Sequence, residues 1–134
     1  MRSWSLAGML IVAAARCGAQ DAGGIELERD IIFGRGAGIE LKLDLARPRG
    51  DGPYPAVVCL HGGGWVGGDR RQMEQTIRTL ASRGYIAVTP DYRLAPRYPF
   101  PAALEDCKAA VRWLRANSLS LKVDPDHIGG VGIA

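Results

Sequence analysis

At 134 residues, 47% hydrophobic and 23% charged, the chain is long enough for one domain with its own core and too apolar for disorder. Its formal charge is +3, but Arg2 and Arg16 fall in the first nineteen residues, where no acid stands, and beyond them 15 basic side chains face 14 acidic ones. No run of Lys or Arg forms a stripe, so nucleic-acid binding has no electrostatic footprint and is not expected.

Arg2, the apolar stretch from Leu6 to Ala15 and then Cys17-Gly18-Ala19 place small residues at the two positions a signal peptidase reads. A secretory leader over residues 1–19 is expected, cut after Ala19, with residues 20–134 forming the folded part of a secreted or periplasmic protein. The apolar run is too short to span a bilayer. Arg16 is a poor neighbour for lipid attachment at Cys17, so no membrane anchor is expected.

Leu41, Leu43 and Leu45 alternate with Lys42 and Asp44, the period of a half-buried strand. Strands are predicted over 25–33 and 39–45, joined through the turn Gly34-Arg35-Gly36-Ala37-Gly38 as an antiparallel hairpin at a sheet edge. The continuous apolar run 56–60 reads as a strand buried on both faces. Met73, Ile77, Leu80 and Ala81 recur at helical spacing from Arg70 to Ser82, with Gly84 as the stop. Residues 86–89 form the next strand, ended by Pro90. A helix is predicted from Pro101 to about Asn117, burying Leu104, Cys107, Val111 and Leu114. Asp124-Pro125-Asp126 makes a turn before a strand over 128–131. This alternation implies an α/β fold: a mainly parallel sheet with helices on both faces and an N-terminal antiparallel hairpin.

The strongest chemical signal is His61-Gly62-Gly63-Gly64-Trp65 at the carboxyl end of a buried strand. Consecutive glycines let a backbone approach a ligand closely and turn its amides towards one point. Such amides stabilise an oxyanion, and each preset donor is worth about 10²–10³ in rate. Cys59 and Cys107 lack the paired spacing of metal ligands, and no metal or cofactor site is predicted. They read as two buried free thiols, with a disulfide between them left open.

The glycine segment with Gly68-Asp69, the segment Asp91-Tyr92-Arg93-Leu94-Ala95-Pro96, the segment Tyr98-Pro99-Phe100-Pro101-Ala102-Ala103-Leu104-Glu105-Asp106, and Val123-Asp124-Pro125-Asp126 stand together in order. In these the chain resembles the hormone-sensitive-lipase-like carboxylesterases of the α/β-hydrolase fold, including acetyl and feruloyl esterases that act on plant polysaccharides. The resemblance implies a Ser-His-Asp hydrolase of small-molecule or polysaccharide-linked esters that needs no cofactor. It makes Gly63 and Gly64 the oxyanion donors and His61 a brace for the loop. It also places the nucleophile serine in a Gly-x-Ser-x-Gly elbow after the last strand. Counted from Asp124, that place falls on Ala134, which has no hydroxyl. The expectation is therefore an N-terminal half, inactive by itself, whose strand 128–131 has an unpaired edge. Asp91, Tyr92 and Arg93 are expected to brace the loop through a polar network, and His127 to be a solvated surface residue.

Two other classes fit parts of the pattern. Gly62, Gly64 and Gly67 with Asp91 also read as a dinucleotide fingerprint, although Trp65 and Gly68-Asp69 delay the helix that would meet a pyrophosphate. A secreted binding module without catalysis is the other, although Trp65 and Trp113 form no visible aromatic platform.

Overall fold

The computed structural model describes residues 24–134, so the leader expected over residues 1–19 lies outside the described residues. Five strands form one sheet: β1 (Ile25–Gly36), β2 (Ile39–Pro48), β3 (Tyr54–Leu60), β4 (Ile86–Pro90) and β5 (Val123–Gly132), in the order β1-β2-β4-β3-β5. β3, β4 and β5 are parallel, and the hairpin joins them through β2, antiparallel to β4. A 3-10 turn (Arg70–Met73) leads into helix α1 (Glu74–Ser82), while α2 (Ala102–Ala116) and the short α3 (Ser118–Leu121) precede β5.

Residues of β2, β3 and β4 alternate between two cores. Leu43, Leu45, Ala56, Val58, Ile86 and Val88 bury against α2 through Ala110 and Leu114. Ala46, Cys59 and Ala87 bury against the 3-10 turn through Met73 and against α1 through Ile77 and Ala81. Strands that are apolar at every position are thus covered on both faces, as their composition requires. α1 follows the expected stripe, with Leu80 at its margin.

Four local readings change. β1 runs through Gly36, so the hairpin turns on Ala37-Gly38 alone, and both residues have positive φ, +49° and +79°. That is the two-residue turn whose twist matches paired strands. Asp44, expected on the solvent side of β2, is buried because Arg70 reaches it. The buried stripe of α2 is Ala102, Asp106, Ala110 and Leu114, with Leu104 exposed and Cys107 and Val111 only half-buried. The helix is rotated by one residue because small alanines allow it close to the sheet and Asp106 must reach Arg93. Finally, the turn at Asp124–Asp126 lies inside β5. The Asp124 carboxylate accepts the Asp126 amide at 3.0 Å, and the ladder shifts register between Tyr54–Val123 and Ala56–Ile128.

Candidate active site

The glycine loop leaves β3 at Leu60 and is shaped by two approaches that no side chain would tolerate. Gly63, at φ +133°, lies so close to the Gly67 carbonyl oxygen that a Cβ would overlap it. A Cβ on Gly62 would come within 2.9 Å of the Ile133 carbonyl oxygen. The amides of Val66 and Gly67 both donate to the Gly63 carbonyl at 3.1 Å, closing the loop. Among the described residues, the amides of Gly63 and Gly64 donate to no backbone or side-chain acceptor. Gly64 has φ +60°, and open space where its Cβ would be.

The backbone after β5 returns to this loop. The Ile133 amide donates to the Leu60 carbonyl at 3.2 Å. Gly62, Gly63, Gly64, Trp65, Tyr92, Ile133 and Ala134 line one cavity of about 310 Å³. Gly63, Gly64 and Ala134, which lie seventy residues apart, are therefore brought together.

His61 is buried and lines the same cavity. Its ring stacks on Tyr92 with centroids 4.3 Å apart and planes within 5°. Its Nδ1 lies 2.9 Å from the Gly62 carbonyl oxygen. The Tyr92 hydroxyl donates to the His61 carbonyl at 2.6 Å. Burial pushes the Tyr92 phenol up, which keeps it protonated and a donor. Two of these contacts end on backbone carbonyls, of Gly62 and of His61, while the stack joins the two side chains.

Tyr92 is held in turn from both sides. Asp91 accepts from the Arg70 amide at 2.9 Å and from its guanidinium, which also pairs with Asp44 and Asp30. Arg93 makes a forked pair with Asp106, Nε to Oδ2 at 2.9 Å and Nη2 to Oδ1 at 2.8 Å, and its amide donates to the same carboxylate. Arg93 and Asp106 are both largely shielded from water. The expected polar network exists. Its other members, Arg70, Asp30, Asp44 and Asp106, were not legible, although Asp106 stands at i+4 from Ala102 and i−4 from Ala110 within the buried stripe.

Trp65, at φ +69°, projects into solvent, 57% exposed. Its ring lies 5.5 Å from Tyr92, and its carbonyl accepts the Ala95 amide at 2.9 Å. His127 is exposed and lies 2.8 Å from Asp124. Cys59 and Cys107 are free thiols, packed on opposite faces of the sheet, and burial pushes both up to about 11. The dinucleotide reading fails locally. Asp69 caps the turn that starts at Arg70, its carboxylate accepting the Arg71 amide at 2.8 Å, so a negative charge already occupies the place a pyrophosphate would take.

Residues 43–134 match the family model BD-FAE. Among characterised proteins, the chain is 42% identical over 79 residues to carboxylesterase NlhH of Mycobacterium tuberculosis, covering 58% of this chain and 25% of that one. It is 39% identical over 79 residues to an arylesterase of Saccharolobus solfataricus, covering 58% of this chain and 26% of that one. The structure of a thermophilic esterase from Thermogutta terrifontis superposes with a TM-score of 0.72 at 29% identity, covering 81% of this chain and 40% of that one. The chain thus spans about a quarter of the length of these curated relatives.

Proposed function

The chain belongs to the BD-FAE family and has the α/β-hydrolase fold of its esterase neighbours, and on that premise we propose that it forms the oxyanion-binding part of a carboxylic ester hydrolase. The observation that carries this reading is the pair of unpartnered amides at Gly63 and Gly64, in the cavity that Ala134 also lines. Attack on an ester carbonyl turns its oxygen into an alkoxide, and two preset donors stabilise that charge without reorganising. Gly63 must keep its φ, and His61 and Tyr92 must hold the loop, for the amides to be ready. The attacking hydroxyl would belong to a serine at the place Ala134 occupies, activated by a His-Asp pair. Acetyl, feruloyl or similar short acyl esters, free or polysaccharide-linked, are the substrates. Residues 1–19 direct export, and mass spectrometry of exported protein should find them removed.

The test is hydrolysis of p-nitrophenyl acetate by a chimaera in which residues 24–134, with Ala134→Ser, continue into the C-terminal part of a family relative that supplies the His-Asp pair. Turnover is expected, and Gly64→Pro, which deletes one donor and cannot keep φ +60°, should reduce kcat by at least about 10²–10³. The same chimaera with Ala134 unchanged should stay at background, because loss of the serine costs on the order of 10⁶ in kcat. Turnover indifferent to Gly64→Pro would overturn the assignment of the oxyanion donors.

A further inference from the structure

At the end of the sheet away from the glycine loop, Tyr54 and Ile86, the first residues of β3 and β4, line a polar cavity of about 70 Å³ together with Glu26, Arg47, Arg49 and Lys122. β3 has seven residues and the glycine loop leaves from its far end, so at about 3.3 Å per residue this cavity lies roughly 20 Å from the oxyanion cavity. Three cations and one carboxylate meet at a single concave wall.

These charges are not balanced from within. Glu26 is taken by Arg47, whose Nε donates to its Oε2 at 2.9 Å. Among the described residues, Arg49 pairs with no carboxylate. Lys122 lies 3.8 Å from Asp51, a fully exposed carboxylate, and a pair of that kind contributes little. Like charges around so small a cavity stand within the screening length of about 8 Å, and an anion entering it offsets their repulsion.

The wall is also rigidly built. Lys122 holds φ +63°, a left-handed conformation that glycine adopts without strain and lysine does not. Three contacts fix it there. Its amide donates to the Leu119 carbonyl at 3.3 Å, its carbonyl accepts the Tyr54 amide at 2.8 Å, and its Nζ donates to the Gly50 carbonyl at 2.7 Å. The backbone at Gly50 lies against the Tyr54 hydroxyl so closely that a Cβ there would overlap it. The ammonium and the phenol are thus presented by segments fastened to each other.

We propose that this cavity binds a tetrahedral oxyanion of the phosphate type. An Arg fork matches two oxygens of such a group, and Lys supplies a point charge. Three cations less one carboxylate leave two positive charges, which suits a dianion. A water needs roughly 10–15 Å³ of such space, so 70 Å³ admits an anion of about five heavy atoms and little more. That chemistry belongs to free phosphate and to a phosphate ester whose alcohol projects into solvent. Because the wall is drawn from β1, β2, β3, β4 and the residue before β5, the anion ties together the amino ends of the parallel strands.

The experiment titrates the full chain with sodium phosphate, with methyl phosphate and with sodium chloride at matched ionic strength, following the Gly50 and Lys122 amide NMR signals. Phosphate should saturate the shifts and chloride should not. Arg49→Ala and Lys122→Gly each remove a charge-assisted hydrogen bond and should weaken phosphate binding about tenfold or more. Lys122→Gly also relieves the strained φ, so its effect is not one of unfolding. Arg71→Ala removes the same charge from an exposed position after the glycine loop and should leave binding unchanged. In thermal melts phosphate should raise the midpoint of the unaltered chain more than that of Arg49→Ala, because a ligand of the folded state stabilises it by mass action. Methyl phosphate that binds as well as phosphate upholds the site and makes its ligand an ester; much weaker binding upholds it for the free ion. Shifts that follow ionic strength alone, binding indifferent to both Arg49→Ala and Lys122→Gly, or equal weakening by Arg71→Ala would overturn the proposal. Its failure leaves the reading of the glycine loop untouched, since none of the wall residues lines the oxyanion cavity.

Discussion

Gly63 and Gly64 differ in what a side chain would meet, and that difference predicts unequal mutants. At Gly64 the space is open and φ is +60°, so Gly64→Ala should cost only the left-handed penalty of about 1–2 kcal/mol. At Gly63 a Cβ would overlap the Gly67 carbonyl oxygen. Gly63→Ala should therefore lower Tm clearly more than Gly64→Ala in parallel thermal melts. The buried thiols make a different prediction. Cys59 and Cys107 have folded values of about 11, raised from 9.0 by burial, so the unfolded chain ionises first. Their contribution to stability is complete below pH 9 and lost as pH rises through about 11. At pH 8 iodoacetamide should leave the fully buried Cys59 unmodified in the folded protein and alkylate it in urea, as read by peptide mass spectrometry.

At the scale of single elements, the hairpin and α2 both depend on residues whose role their type conceals. Ala37 holds φ +49° in a two-residue turn where Asn-Gly is the favoured pair. Ala37→Asn should thus stabilise the protein by about 0.5–1 kcal/mol, visible as a higher urea midpoint with unchanged slope. In α2, Leu104 and Leu114 look equivalent by spacing, yet Leu114 is fully buried and Leu104 half exposed. Leu114→Ala should cost about 2–5 kcal/mol, while Leu104→Ala should leave the unfolding midpoint nearly unchanged. Equal losses at both positions would mean that the stripe lies where the helical spacing alone puts it.

Across the whole molecule, two ion-pair clusters tie the loops to the sheet. Arg70 joins Asp30 of β1, Asp44 of β2 and Asp91 after β4, while Arg93 joins the same loop to Asp106 of α2. Removing Asp106 leaves the shielded Arg93 guanidinium only the exposed Glu105 carboxylate as a partner among the described residues. Asp106→Ala is thus expected to cost about 3–5 kcal/mol, a large part of an ordinary domain's stability. Chemical denaturation would check this, and a loss below 1 kcal/mol would mean that water reaches Arg93 freely. The hairpin, the buried parallel strands and the helical stretch from Arg70 to Ser82 were legible in the sequence, because each rests on a local period or a turn residue that acts within a few positions. The glycine loop was legible for a related reason: only glycine allows the backbone conformation at Gly63, so the residue type itself records the geometry. The rotation of α2, the burial of Asp44, the pairing of Arg93 with Asp106 and the basic pocket beside Tyr54 were decided only by the tertiary structure. Each depends on which residue from a distant part of the chain arrives opposite, and an apolar or charged side chain carries no mark of its partner.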